Sequence, residues 1–228
     1  MEKLSVVIPV YCSAQTIPAL GDELRTIQSE LRTMDVALEP VFVDDGSHDD
    51  SLAKILELKK QFPEIKIVKL TRNFGAVGAV KAGFRHVTGD CFVTIAADLQ
   101  DPFDMIPKMV TRWKDGAKYV ILVRQSRDDP ASSRFTAGIF YFLVRLFIFK
   151  NYPEGGFDVA LMDKAMLPYM QNWSKNQNPS LYSFNLGFEP AVIPYHRKKR
   201  EVGKSTWKLG RKVNYFIDSL MGFSIVPL

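Results

Sequence analysis

The sequence predicts an α/β fold in which helices flank a mostly parallel central sheet. Short runs rich in β-branched residues alternate with longer segments of helical periodicity through the first half of the chain. Several strand-like runs end in polar residues or a turn, as in VVIPVY (residues 6–11) and FVDDGS (42–47). Strands that alternate with helices of this length form βαβ units, and such units favour a parallel sheet.

Local patterns predict the individual elements. Apolar runs predict strands over residues 4–10, 40–44, 65–70, 91–97, 119–123 and 190–195. Helices are predicted over 16–33, 49–60, 75–87, 104–114, 133–150 and 163–172. Apolar residues three and four apart support the first two, and 213–220 has the same spacing. The first helix shows the clearest stripe, formed by Ile17, Leu20, Leu24, Ile27 and Leu31. Asp49 or Asp50 is placed to cap the second helix, and residues 176–179 are rich in turn formers.

Composition is typical of a globular protein. The chain has 228 residues, of which 46% are hydrophobic, enough for one large domain or two small ones. The most apolar segment, GIFYFLVRLFIF (138–149), is shorter than the roughly 18 residues of a membrane-spanning helix and contains Arg145. Cys12 and Cys91 are far apart in or beside apolar runs, and we interpret them as buried free thiols of a reducing compartment.

The net charge of +5 is concentrated late in the chain. Between Tyr195 and Lys212 eight lysines and arginines stand against Glu201 alone. Such a cluster binds phosphates or anionic lipid, or is simply a solvated face. Few aromatic residues are interleaved with it and no nucleic-acid reader motif is present, so we do not expect a nucleic-acid partner.

Candidate ligand sites follow from the predicted sheet. Open parallel sheets bind ligands outside the carboxyl ends of their strands. In this chain the loops after the predicted strands begin at Tyr11, Asp44, Arg72, Asp98 and Arg124. Tyr11 can stack on a base, and Asp44 and Asp45 can accept hydrogen bonds from a nucleoside, although DDGS is also a common turn. The signatures of classical dinucleotide folds, P-loops, zinc proteases and hydrolase nucleophile elbows are absent from the sequence.

The stretch AADLQDP (96–102) directly follows a predicted buried strand. Asp98, Gln100 and Asp101 offer the oxygen ligands that hard divalent cations prefer. Strand-end metal sites usually carry a pair of carboxylates, but the position two before Asp98 is Ala96. Upstream, Asn73 and Lys81 are candidates to reach a nucleotide.

Taken together in order, these motifs resemble family 2 glycosyltransferases. VVIPVY, VDDGS, LTRNFG, the ADLQDP loop, GGFDVALMD (155–163) and REVGKS (200–205) carry the resemblance over nearly the whole chain. The most similar branch is that of the polyprenyl-phosphate glycosyltransferases, which includes dolichol-phosphate mannose synthases and bactoprenol glucosyltransferases. The resemblance implies a Rossmann-like, glycosyltransferase A-type fold and inverting transfer from a UDP- or GDP-sugar to a polyprenyl phosphate.

The resemblance also implies roles for individual residues. Pro9, Tyr11, Asp44, Asp45, Asn73, Lys81 and Asp98 would bind the nucleotide, and Asp98 and Gln100 would hold Mg²⁺ or Mn²⁺. Asp158 and Asp98 would be the catalytic residues. Arg124, Arg197, Arg200, Lys204 and Ser205 would bind phosphate or acceptor. The sequence departs from the family pattern at Ala96, where an aspartate is usual, and at Ala160, where an arginine is usual.

The implied acceptor predicts the organisation of the chain. We expect a single catalytic domain, with residues 1–125 binding the nucleotide sugar and 126–228 binding the acceptor near the membrane. Family members of this branch continue into transmembrane helices, so we expect a truncated portion that acts at the cytoplasmic face of the membrane. Residues 138–149 either contact the membrane surface or pack in the core. The sequence is compatible with a homo-oligomer as well as with a monomer.

Three alternatives compete with this interpretation. A pyrophosphorylase-like enzyme would share a related nucleotide-binding sheet, but residues 10–13 lack its glycine-rich loop with arginine. A non-catalytic nucleotide-sugar-binding or scaffold protein would explain the alanine at position 96. A nucleic-acid binder would rest on the basic cluster alone.

Overall fold

The computed structural model describes residues 1–126, 131–174, 178–196 and 222–223. The strands of this part are β1 (Glu2–Val10), β2 (Val36–Asp44), β3 (Lys66–Lys69), β4 (Cys91–Thr94), β5 (Tyr119–Ser126), β6 (Phe157–Asp163) and β7 (Pro190–His196). The α-helices are α1 (Ile17–Thr33), α2 (Ser51–Gln61), α3 (Ala76–Phe84), α4 (Ile106–Lys114), α5 (Ala131–Phe147), α6 (Leu167–Met170) and α7 (Pro179–Asn185). None of these helices is long and apolar enough to cross a bilayer.

The seven strands form one sheet in the order β3-β2-β1-β4-β6-β5-β7. The pairs β1/β2, β1/β4, β2/β3 and β5/β7 are parallel, whereas β6 is antiparallel to both of its neighbours, β4 and β5. Because two reversals restore the original direction, β5 and β7 run parallel to β1 through β4. The predicted mostly parallel α/β sheet is therefore confirmed.

Helices cover both faces of the sheet, which explains why the central strands are apolar on both sides. One core contains the buried stripes of α1, α2 and α4, including the five α1 residues predicted from periodicity. The other core contains α3, α6, α7 and Val144 of α5. Gly83 lets α3 lie close to the sheet, because a Cβ there would stand 2.5 Å from Val7 Cγ1.

Three features of the second half differ from the predictions. The structure shows β6 where no strand was predicted, and it shows α7 after the turn-rich stretch. The predicted helix over 163–172 is wrong at its start, because β6 continues to Asp163 and a 3-10 turn over Lys164–Met166 leads into the short α6. Asp163 is instead the cap of that turn, since its side chain accepts from the Ala165 N–H. The helical spacing at 213–220 lies outside the described residues.

Candidate active site

One edge of the sheet gathers the polar side chains of six strands. Parallel strands β1, β2, β4, β5 and β7 present their carboxyl ends there, with Tyr11 and Asp44 at the ends of β1 and β2. Antiparallel β6 presents its beginning at the same edge, which brings Asp158 to it. Ligand sites of open α/β sheets form at this edge. The antiparallel course of β6 is thus what adds Asp158 to the predicted site.

The nucleoside side of the site starts at the β1 and β2 ends. Tyr11 is 46% exposed, so its ring is accessible to a base. Pro9 has no register partner on β4, because the pairing of β1 with β4 ends at Val7. Asp44 is completely buried; its Oδ1 accepts from the Ser47 N–H, and its Oδ2 has no hydrogen-bond donor among the described residues. A buried carboxylate oxygen without a donor is costly, so this atom is a candidate acceptor for a ligand N–H or O–H.

Asp45 binds the backbone of the next loop. Its Oδ1 accepts from the Phe74 N–H at 2.7 Å and its Oδ2 from the Gly75 N–H at 2.9 Å. Gly46 has φ +69° and lies so close to Arg72 that a Cβ would stand 2.6 Å from its carbonyl carbon. The DDGS and RNFG motifs therefore form one interlocked unit, in which Asp45 shapes the loop.

Asn73 and Lys81 make protein contacts in the structure. Asn73 is exposed, and its side-chain oxygen accepts from the Gly75 N–H at 2.9 Å. The Lys81 ammonium donates to the Trp173 carbonyl and lies 5.8 Å from the centre of the Trp173 ring. This contact ties α3 to the segment after α6. Contact of either residue with a nucleotide stays a prediction.

The loop after β4 has a constrained backbone. The Asp98 Oδ1 accepts from the Gln100 N–H at 3.2 Å, and Leu99 between them has φ +60°, which is unusual for a residue with a Cβ. The Asp101 Oδ2 accepts from the Ala96 N–H at 2.7 Å, and so Asp101 closes the loop on itself. Asp98 and Gln100 are half-buried in this loop. Strained backbone held by its surroundings is characteristic of functional loops.

Asp98 and Gln100 fit a divalent cation as part of its ligand shell. The described residues contain no group of three or more His, Cys, Asp or Glu side chains able to enclose a metal. Mg²⁺, however, commonly takes one or two protein carboxylates and completes its shell with water and substrate phosphate oxygens. One carboxylate and one amide oxygen on the same short loop meet that requirement.

The Asp158 carboxylate is held by side chains of two other strands. Arg124 of β5 donates to both carboxylate oxygens, from Nε to Oδ2 and from Nη2 to Oδ1. Tyr195 of β7 donates its hydroxyl to Oδ2. Arg124, predicted to bind phosphate or acceptor, is thus engaged with the predicted catalytic carboxylate, and the structure places both at the same edge.

Two contacts near Tyr11 were not predicted. Cys12, with φ +50°, is half-buried rather than buried, and its Sγ lies 3.2 Å from His48 Nδ1. The rings of Tyr11 and His48 meet edge to face, with centroids 6.0 Å apart. Cys91, by contrast, is buried as expected, and burial strongly raises the pKa of its thiol. Periodicity could not reveal the Cys12 contact, because it joins two loops 36 residues apart.

Asp49 ties the first two loops together. It accepts from the Ala14 N–H at 3.2 Å and from the Ser51 N–H and hydroxyl at the start of α2. Burial alone would raise the pKa of Asp49, but these hydrogen bonds outweigh it and lower the pKa. Of the two predicted caps of α2, Asp50 is the N-cap residue but its side chain makes no capping hydrogen bond. Asp49 instead binds the N–H of Ser51, the first residue of the helix.

Comparison with known proteins decides the family. The model of glycosyl transferase family 2 matches residues 5–173, about three quarters of the chain. This chain belongs to glycosyl transferase family 2. It is 30% identical over 230 residues to an uncharacterized glycosyltransferase of Synechocystis sp., covering 99% of this chain and 71% of that protein.

A second relative has a named reaction. The chain is 31% identical over 230 residues to the undecaprenyl-phosphate 4-deoxy-4-formamido-L-arabinose transferase of Klebsiella pneumoniae. The match covers all of this chain and 69% of that enzyme. The predicted resemblance to family 2, and to its polyprenyl-phosphate branch, is confirmed by these relatives, and the chain is a transferase.

Solved glycosyltransferases share the fold. A glucosyl-3-phosphoglycerate synthase from Mycobacterium tuberculosis, in complex with Mn²⁺, UDP-glucose and phosphoglyceric acid, aligns with a TM-score of 0.64 at 15% identity over 96% of this chain and 77% of that one. A mannosyltransferase from Pyrobaculum calidifontis, in complex with GDP-mannose and Mn²⁺, aligns with a TM-score of 0.59 at 20% identity, over 85% of this chain and 55% of that one. The predicted glycosyltransferase A-type fold is confirmed.

Part of the predicted site of this glycosyltransferase lies outside the described residues. Arg197, Arg200, Lys204 and Ser205 belong to that part, and their phosphate-binding roles stay predictions. Tyr195, which ends the described part of β7 together with His196, was not singled out from sequence. Its hydroxyl became recognisable only through its contact with Asp158, 37 residues earlier in the chain.

Proposed function

We propose that this glycosyltransferase transfers a sugar from a UDP- or GDP-sugar to the phosphate of undecaprenyl or dolichyl phosphate, for cell-surface glycan modification. The observation that supports it most is the arrangement of Asp44, Asp98 and Asp158 along one sheet edge, at β2, β4 and β6. The similarity to an undecaprenyl-phosphate transferase, which extends over all of this chain and 69% of that enzyme, supports the proposed acceptor.

The nucleoside would occupy the β1 and β2 ends. The accessible Tyr11 ring provides a stacking surface, and Pro9 shapes the strand end beside it. The buried Asp44 Oδ2 would accept a hydrogen bond from the nucleoside. Asp45 stays a proposed nucleotide contact, although both of its carboxylate oxygens accept hydrogen bonds from the 71–75 loop. Asn73, Lys81 and Asp98 remain proposed contacts of the nucleotide.

A divalent metal fits the loop after β4. Asp98 and Gln100 would hold Mg²⁺ or Mn²⁺ together with diphosphate oxygens. When bound, such an ion neutralises the charge that develops on a diphosphate leaving group. Since Ala96 provides no second carboxylate, we expect the metal to bind weakly without nucleotide and more tightly with it.

The acceptor phosphate is already anionic at neutral pH and does not need a strong general base. One of its oxygens would form the new bond to the anomeric carbon as the bond from that carbon to the diphosphate breaks. Attack from the opposite face inverts the configuration, so an α-linked donor gives a β-linked lipid-phosphate sugar. Asp158 would orient the reacting groups rather than remove a proton.

The lipid acceptor also suggests contact with a membrane surface, at its cytoplasmic face. Three large apolar side chains of α5, those of Phe142, Leu146 and Phe147, are 39–60% exposed. Exposed aromatic and aliphatic side chains on one helix suit the interfacial region of a bilayer. The basic cluster from Arg197 onward would add attraction to anionic lipid.

A sugar-transfer assay tests the proposed function. Radiolabelled UDP- and GDP-sugars are incubated with undecaprenyl or dolichyl phosphate in the presence of Mg²⁺, Mn²⁺ or EDTA, and label in the organic phase is counted. We expect transfer from at least one donor and its loss in EDTA. Transfer that persists in EDTA would remove the metal from the proposal, and bound nucleotide without transfer would favour the scaffold alternative.

Two substitutions locate the metal loop. Asp98→Ala is expected to abolish transfer, whereas Asp104→Ala, an exposed aspartate six residues later, should leave it unchanged. Ala96→Asp is expected to tighten Mn²⁺ binding measured without nucleotide. Full activity of Asp98→Ala would show that the site is misplaced. An unchanged metal titration of Ala96→Asp would show only that residue 96 does not limit metal binding.

A further inference from the structure

The Asp158 carboxylate receives hydrogen bonds from two neighbouring strands. The Arg124 guanidinium spans both carboxylate oxygens, which is the two-pronged geometry preferred by this pair. The Tyr195 hydroxyl donates to Oδ2, the oxygen that also accepts from Arg124 Nε. In the sheet, β6, β5 and β7 are consecutive, so these three side chains form one row.

A β-bulge explains why the carboxylate depends on these bonds. Leu122 of β5 is in register with Val159 and Val123 is in register with Phe157, so Asp158 is the extra residue of the bulge and has no register partner on β5. Phe157 and Val159 consequently face opposite cores, although residues two apart in a regular strand face the same side. Bulges redirect side chains next to active sites. Regular pleating therefore does not determine the direction of the Asp158 side chain, and its hydrogen-bond partners do.

Arg124 and Tyr195 contribute differently to holding the Asp158 carboxylate. The side chains of Arg124 and Asp158 are only 11% and 16% exposed, and a carboxylate so far removed from water needs a counter-charge. Arg124 supplies that charge. Tyr195 is 4% exposed, its ring belongs to the core on the α1 side, and its hydroxyl is uncharged. A tyrosine fixed in a core is well suited to hold one carboxylate oxygen in a defined place.

From this geometry we infer that Tyr195 is a positioning residue of the transfer reaction, acting through Asp158. The inference rests on the proposed function, in which Asp158 orients the reacting groups. Tyr195 fixes the rotation of the carboxylate on its bulge, while Arg124 keeps it charged. Loss of the hydroxyl leaves the nucleotide site at β1, β2 and β4 intact.

A double-mutant cycle tests this inference. Tyr195→Phe is expected to lower kcat between about tenfold and a hundredfold, since small misplacements of reacting groups have effects of this size. The KM for the donor and the Kd for free nucleotide should stay within about twofold. In an Asp158→Asn background, measured in single turnovers with enzyme in excess, Tyr195→Phe should lower the rate less than about twofold further. An unchanged kcat, or an equal decrease in both backgrounds, would overturn the inference.

The wild type, the two single variants and the double variant also test the hydrogen bond between Tyr195 and Asp158 directly. The midpoints of urea unfolding should shift non-additively, because the two substitutions affect one hydrogen bond. Additive shifts would show that the hydroxyl and the carboxylate do not interact. Tyr119→Phe is the matched control: Tyr119 is buried on β5, and its hydroxyl bonds Ser183 on the opposite face of the sheet. This variant should lose stability while keeping kcat.

Failure of the inference is distinguishable from failure of the proposed function. Wild-type protein that transfers sugar to no polyprenyl phosphate refutes the proposed acceptor, whatever Tyr195 does. Wild-type protein that transfers sugar while the Tyr195 and Asp158 effects add refutes only the positioning role.

Discussion

Glu39 on β2 is expected to make the stability of this glycosyltransferase strongly dependent on pH. Its side chain is 7% exposed. It accepts hydrogen bonds from the Ser5 hydroxyl at 2.7 Å and from the Thr88 N–H and hydroxyl, and it pairs with Lys66 at 2.9 Å. Burial alone would raise the pKa of Glu39, but these donors outweigh it and lower the pKa from 4.5 to about 2.

The size of the effect follows from that difference. Each unit of difference between the pKa values of the folded and unfolded states corresponds to about 1.4 kcal/mol. The ionised form of Glu39 therefore contributes about 3 kcal/mol to the free energy of unfolding. Because the folded pKa is the lower one, this contribution is complete above pH 4.5. It is lost progressively as the pH falls from about 4.5 to about 2.

Glu39→Gln replaces the carboxylate by a neutral group of the same shape. We expect the variant to lose up to about 3 kcal/mol of unfolding free energy at pH 7, measured by urea denaturation. The difference from wild type should shrink steadily between pH 4.5 and pH 3. Glu64→Gln, an exposed glutamate, is the control and should unfold as wild type at every pH. A Glu39→Gln deficit that stays the same from pH 7 to pH 3 would refute the reasoning.

Three further predictions concern the site and its surroundings. Gly156→Ala should lower the free energy of unfolding by about 1–3 kcal/mol in urea titrations, because Gly156 has φ +65° and a Cβ would stand 2.2 Å from the Tyr141 ring; an unchanged midpoint would contradict it. Asp44→Asn should weaken binding of the sugar donor, measured by calorimetry, about tenfold or more. The protein should keep its stability, because in the described part of the chain one buried oxygen of this carboxylate receives no hydrogen bond. Unchanged affinity would place the nucleoside elsewhere. Replacing both Phe142 and Leu146 by serine should reduce flotation with anionic vesicles, whereas Leu56→Ser, at an exposed leucine of α2, should not; equal flotation of both variants would exclude α5 from the membrane contact.

Much of the first half could be predicted from sequence because its patterns are local. Helix α1 was predicted over 16–33 and extends over Ile17–Thr33, since its apolar stripe repeats every three to four residues. The aspartates at the end of β2 and in the loop after β4 were also located, because a strand that turns polar marks the sheet edge. The strand boundaries were less exact: β4 ends at Thr94, because the Ala96 N–H binds Asp101 instead of a neighbouring strand.

Other features depend on contacts between distant residues. The β6 segment, FDVALMD, contains a single β-branched residue, and no strand was predicted there. Its bulge at Asp158 is a property of the pairing with β5 and leaves no signal in the sequence. Asp44 and Asp45 are adjacent in sequence and chemically identical. Only the structure shows that Asp45 binds the 71–75 loop, while Asp44 keeps a buried oxygen without a donor among the described residues.

By itself the sequence determined the fold class, the positions of Tyr11, Asp44 and Asp98 at or just after strand ends, and the resemblance to family 2. Those properties depend on periodicity and on motifs, which are local in the chain. The tertiary structure decided that β6 runs antiparallel, and that Arg124 and Tyr195 hold Asp158. Those contacts join residues 34 and 37 positions apart, and strand order and direction alone bring them together.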